Sequence, residues 1–145
     1  MAAIGTLLVA GCGSSDSSSS DLPAACLGEP RTFLSALERA PAPVRLAGGV
    51  PVSRCVRLAA RRDGDLQQLG VTLTTVADEL HFDARANPRA AVRLGYLIGA
   101  VRRGARQTPG SAAQLARRIE QTASLADTLA RGALLRGVFD GEDTG

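Results

Sequence analysis

Leu66, Leu69, Leu73, Val76 and Leu80 recur at steps of three and four residues, with Gln68, Thr75, Asp78 and Glu79 between them. This period places the five apolar side chains on one stripe of an α-helix. Asp65 is a suitable cap for that helix, and the pattern fades near Phe82. A second long helix is expected from Pro88 to about Gln107, opened by the cap-and-proline pair Asn87-Pro88. Leu94, Leu97, Ile98, Val101 and Ala105 form its main core face, and Val92, Gly95, Tyr96 and Gly99 lie on the other side. A third is expected from Ser111 to about Arg136, opened by a Ser111/Gln114 capping box and closed by Gly137. Its stripe is Leu115, Ile119, Thr122, Ala126, Leu129 and Ala133.

Two shorter helices precede these. Glu29-Pro30 opens one that carries Phe33, Leu34 and Leu37, and Pro41 and Pro43 end it. The stretch PAPVRLAGGVP reads as a loop. Ser53 is expected to cap the other, which carries Cys55, Leu58 and Ala59 and runs to about Arg62. No alternating apolar pattern is long enough for a strand. The chain is therefore expected to be all-α: a small bundle of three long amphipathic helices plus two short N-terminal ones, with short connections that make sequential neighbours antiparallel. The helical domain is bounded at 22–139, and the acidic, glycine-rich residues 140–145 read as a disordered tail.

Gly95 and Gly99 stand one turn apart in the middle of the second long helix. Each interior glycine costs a helix about 1 kcal/mol against alanine. The return is close approach of another backbone, from a neighbouring helix of the same chain or across a homodimer seam. Arg93, Arg102 and Arg103 rule out a membrane-spanning helix here, although the spacing is one that spanning helices use.

Composition sharpens this picture at two points. Aromatic residues make up only 3% of the chain, so the core has to be built from Leu, Val, Ile and Ala, which suits packed helices. The net charge of +3 is too small to imply a nucleic-acid binder, and aromatics are not interleaved with the basic residues as base stacking requires.

Residues 2–10 (AAIGTLLVA) are apolar but too few to span a bilayer, which needs about 20 residues, and they fit the hydrophobic region of an export signal. Val9-Ala10-Gly11-Cys12 resembles the lipobox of bacterial lipoproteins. That resemblance covers the first dozen residues and implies a signal segment at 1–11, a diacylglyceryl thioether on Cys12 and cleavage before it. Two acyl chains suffice for stable anchoring. Residues 13–21 are only Gly, Ser and Asp, a flexible spacer with a root-mean-square reach of about 16 Å. The implied address is the extracytoplasmic side of a cell membrane, held by a lipid anchor. With Cys12 so assigned, Cys26 and Cys55 are expected to form a disulfide, which an exported compartment permits; the alternative is two buried thiols.

Catalytic signatures are absent from the sequence: H-E-x-x-H, paired C-x-x-C, G-x-S-x-G and the Walker A loop. His81 is the sole histidine and cannot build a His-rich metal site. No cofactor, metal or catalytic residue is expected. All 17 basic residues are arginine. Arg85, Arg89 and Arg93, with Arg102, Arg103 and Arg106, are candidates for contact with an anionic surface; the alternative is a solvated face, with the second cluster matched to a helix C-terminus. The expected function is a membrane-tethered lipoprotein with a non-catalytic binding or scaffolding domain, whose partner is a protein or an anionic envelope component. The alternative is a small envelope enzyme or ligand carrier with a site inside the bundle.

Overall fold

The computed structural model describes residues 21–108, 110–123 and 128–145. The lipobox and most of the serine spacer lie outside the described residues. Those described form α-helices and 3-10 turns without a strand: a 3-10 turn at Ala24–Leu27, α1 (Pro30–Leu37), a 3-10 turn at Ala47–Gly49, α2 (Val52–Ala59), α3 (Asp63–Ala84), α4 (Pro88–Ala105), α5 (Ser111–Thr122) and α6 (Thr128–Thr144).

Local chemistry accounts directly for the starts of α1 and α4. Pro30 opens α1 behind an extended Glu29. The Asn87 side chain accepts the Arg89 N–H at 3.0 Å at the start of α4. Three starts differ from expectation. Pro51, not Ser53, caps α2, and Ser53 is buried within the first turn. Asp65 does not cap α3; Arg62 does, which puts Asp63 and Asp65 in the first turn, where the helix dipole favours carboxylates. The Ser111/Gln114 capping box does not form. Gly110 takes the cap position at φ 96°, a conformation that favours glycine.

α4 is the centre of the molecule. Every residue from Leu94 to Val101 is buried. Leu94, Leu97 and Val101 are fully covered, as are Phe33 and Leu37 of α1, Leu69, Leu73 and Val76 of α3, and Ile119 of α5. The sequence pattern supplied one core face for α4. The structure gives it two, because α6 covers the glycine side.

Here the structure departs most from expectation. The single long helix to Arg136 is instead two: α5 stops at Thr122, Ala123 leaves helical geometry, and α6 starts at Thr128. α6 then runs parallel to α4 and continues through Gly137, the expected cap, and through 140–144, the expected disordered tail. The reason is a ladder of glycines in register. A methyl group added at Gly95 would lie 2.9 Å from the Val138 nitrogen, and one at Gly99 2.7 Å from the Glu142 nitrogen. From the other side, a methyl at Gly137 or Gly141 would lie 2.9 Å from the Tyr96 backbone, and one at Gly145 2.5 Å from the Ala100 Cβ. The paired backbones leave no room for a Cβ, so Gly95 and Gly99 have their close neighbour within the same chain.

α2 crosses the far end of α4 in a similar way. A methyl at Gly104 would meet the Ser53 carbonyl at 2.5 Å. A disulfide between Cys26 and Cys55, with Cα atoms 5.3 Å apart, fastens the first 3-10 turn to α2. Both cysteines are fully buried.

Two outcomes follow for stability. Gly99→Ala and Gly141→Ala should each lower stability by about 1–3 kcal/mol through overpacking, whereas Gly132→Ala should raise it by up to about 1 kcal/mol through helix propensity. Gly132 lies in the same helix with open space around it. Urea melts of the three variants check this, and equal effects would contradict the close approach. Replacing Cys26 and Cys55 together by Ser should cost roughly 3–4 kcal/mol, from the 29-residue separation they bridge, read as a lower melting temperature that reductant no longer changes.

Candidate functional site

Among the described residues no three His, Cys, Asp or Glu side chains gather as metal ligands would. His81 is half-buried on α3, and its Nδ1 is buried without a hydrogen-bond partner. The interior is filled by aliphatic side chains, and Ser53 is its one buried polar side chain besides Tyr96 among the described residues. An open groove of about 720 Å³ lies between α3 and α5, lined by Asp63, Gln67, Thr74, Gln114 and Arg118 among others. The Thr74 and Thr75 hydroxyls beside it donate to the Gly70 and Val71 carbonyls, at 2.8 and 3.0 Å.

The buried polar chemistry is concentrated on Tyr96. Its ring is fully covered, and its hydroxyl accepts the Val44 N–H at 2.9 Å and shares a hydrogen bond with the Thr144 hydroxyl at 2.9 Å. Arg45 donates to the Thr144 carbonyl at 2.8 Å, and Ser53 to the Gly145 carbonyl at 2.5 Å. One phenol therefore joins α4, the loop before α2 and the end of α6. By sequence alone Tyr96 falls only on a helix face. The signal for its role, a single tyrosine among small residues, has many other meanings.

The six arginines singled out by sequence fall into two groups with different surroundings. Arg102, Arg103 and Arg106, at the end of α4, are engaged within the chain. Arg102 donates to Glu120 of α5 at 2.6 Å and to Glu142 of α6 at 3.5 Å, and Arg106 donates to Glu142 at 2.5 Å. Arg103 donates to the Glu142 and Asp143 carbonyls, two of the orphan acceptors at the end of α6. The hydrogen bond to Glu120 holds the Arg102 guanidinium above its ordinary pKa, with burial acting the other way. Arg85, Arg89 and Arg93 sit around the turn between α3 and α4. Arg85 and Arg89 are exposed, Arg93 is half-buried, and none has an ion-pair partner among the described residues.

A third group went unnoticed in the sequence. Arg54, Arg57 and Arg61 are spaced by three and four, and all are exposed on the outer side of α2 and the turn that follows it. Val52, Cys55, Val56, Leu58 and Ala59 occupy the buried side. The spacing was legible as an amphipathic pattern, but the helix was too short to stand out. Arg62 beside them pairs with Asp21 at 2.9 Å, with both side chains largely exposed.

Compared with protein-family models, curated proteins and solved structures, the chain has no match.

Tyr96→Phe should destabilise the fold by roughly 1–3 kcal/mol, because it leaves the buried Val44 N–H without an acceptor. Thr144→Val, which removes one of the two partners but keeps the phenol, should cost less. Denaturant titration of both variants tests the ordering.

Proposed function

We propose that this chain is a membrane-tethered extracytoplasmic lipoprotein whose helical domain binds or scaffolds a partner without catalysing a reaction. The observation that carries the reading is Val9-Ala10-Gly11-Cys12 followed by a spacer of Gly, Ser and Asp. The fold supports it at three points. The domain begins where the spacer ends, with Leu22 already packed on the core. The Cys26–Cys55 bond suits an oxidising compartment, since disulfides are rare where cytosolic reductants act. The interior, filled by Leu, Val, Ile and Ala, favours a rigid binding module over a site within the bundle. Among the described residues no helix is long and apolar enough to cross a membrane.

Expression of the full chain in a bacterium fed labelled fatty acid, beside Cys12→Ser, tests the proposal. The unmodified chain should carry label and a mature N-terminus at Cys12, and Cys12→Ser should carry none. Equal labelling, or a mature N-terminus elsewhere, overturns it.

A further inference from the structure

We infer that the outer face of α2 docks on anionic phospholipid headgroups and lays the domain against the membrane. The inference rests on the tethered reading above and adds the surface by which the domain meets the lipid. Arg54, Arg57 and Arg61 share that face, and all three are exposed. None forms an ion pair with a described residue. The nearby carboxylates are placed otherwise: Asp21 is paired with Arg62, Asp63 lines the α3–α5 groove, and Asp65 is half-buried. The face therefore presents three guanidinium groups, each able to donate two parallel hydrogen bonds to one phosphate.

Location separates this face from the other arginines. The disulfide fastens Cys55, which lies between Arg54 and Arg57, to Cys26, five residues after Asp21. The Arg62–Asp21 pair ties the end of the same segment to the spacer itself. Residues 13–21 reach about 16 Å on average and roughly 30 Å when fully extended. An anchor at Cys12 thus keeps the α2 face within reach of the bilayer. Arg85 and Arg89 lie beyond the other end of α3, whose 22 residues span about 33 Å. Arg102, Arg103 and Arg106 already serve Glu120, Glu142 and the end of α6. Among these arginine groups, only the α2 set is both unpaired and close to the anchor. It is also held rigid, because the disulfide, the contact at Gly104 and the Ser53–Gly145 hydrogen bond fix the helix before any lipid is met.

The test uses the full chain carrying Cys12→Ser, so that no acyl group contributes. Co-sedimentation is measured with vesicles of phosphatidylcholine alone and of phosphatidylcholine mixed with phosphatidylglycerol. Binding should require phosphatidylglycerol and weaken as salt is added. Each basic residue at an anionic surface strengthens binding roughly fivefold, so the triple variant Arg54→Gln, Arg57→Gln, Arg61→Gln should lose affinity on the order of 100-fold. A second triple, Arg85→Gln, Arg89→Gln, Arg93→Gln, removes the same charge from the other end of α3 and should lose far less. Both triples should stay folded with a cooperative melt, since every one of these side chains except the half-buried Arg93 is exposed. Equal losses in the two triples would show attraction by net charge alone and overturn the assignment. Equal binding to uncharged vesicles, or no binding to phosphatidylglycerol, would overturn it too. Fatty-acid labelling of the unmodified chain reads the tether separately, so failure of the anchor and failure of the docking face give different results.

Discussion

The backbone-to-backbone approach of α4 and α6 is the constraint on which the rest of the molecule depends. Gly95 and Gly99 face the Leu134–Glu142 backbone while Gly137, Gly141 and Gly145 face Val92, Tyr96 and Ala100, so the two sets interleave in parallel register at one-turn spacing. A helix that carries such glycines gives up about 1 kcal/mol at each. The cost is offset only when a second backbone fills the space, where many small dispersion contacts and Cα–H···O contacts accumulate. The same glycines in a solvent-facing helix would be a pure loss. α6 therefore has one face that is satisfied only against α4. Its opposite face is left to solvent, with Leu135 at 61% and Phe139 at 75% exposure.

Once α6 is docked, its last turn arrives among groups that need partners. The Tyr96 hydroxyl reaches Thr144, Ser53 reaches the Gly145 carbonyl, and Arg103 and Arg106 close on Glu142 and the last carbonyls. None of these contacts would form if residues 140–145 were frayed. They convert an apolar packing event into one specific register, because a slip of one turn along the ladder would carry Thr144 away from the buried phenol and the Gly145 carbonyl away from Ser53.

Arginine is used in two ways in this chain, and the difference bears on function. At the end of α4 it neutralises carboxylates and helix-terminal carbonyls, so its charge is consumed internally. On α2 it covers one side of a short helix whose other side is locked by a disulfide and by α4. A short helix held this firmly is a better platform for an anionic surface than a flexible basic tail, because the guanidinium groups lose less freedom when they bind. Asp21 pairs with Arg62 and Cys26 is bonded to Cys55, so the start of the described domain and the cationic face belong to one corner of the fold.

The sequence by itself determined the helical class, the start of α1 at Pro30, the start of α4 at Asn87-Pro88, and the core stripe of α3. Each of these rests on local chemistry: a fixed φ, a side chain that caps its own helix, a period of 3.6. It also marked Gly95 and Gly99 as sites of close approach, because interior glycines have no local justification. Only the tertiary structure decided what approaches them. Nothing between Thr122 and Thr128 is a proline or a glycine, so the pattern ran on as one helix. Gly137, Gly141 and the acidic residues around them read as an end and a tail because glycine and acid disfavour a helix C-terminus in isolation. Against the α4 backbone those glycines become the only residues that fit, and Arg102, Arg103 and Arg106 wait for the acidic end. A ladder between residues some forty positions apart has no local signature on either strand of it, which is why the break, the parallel register of α6 and the role of Tyr96 had to come from the fold.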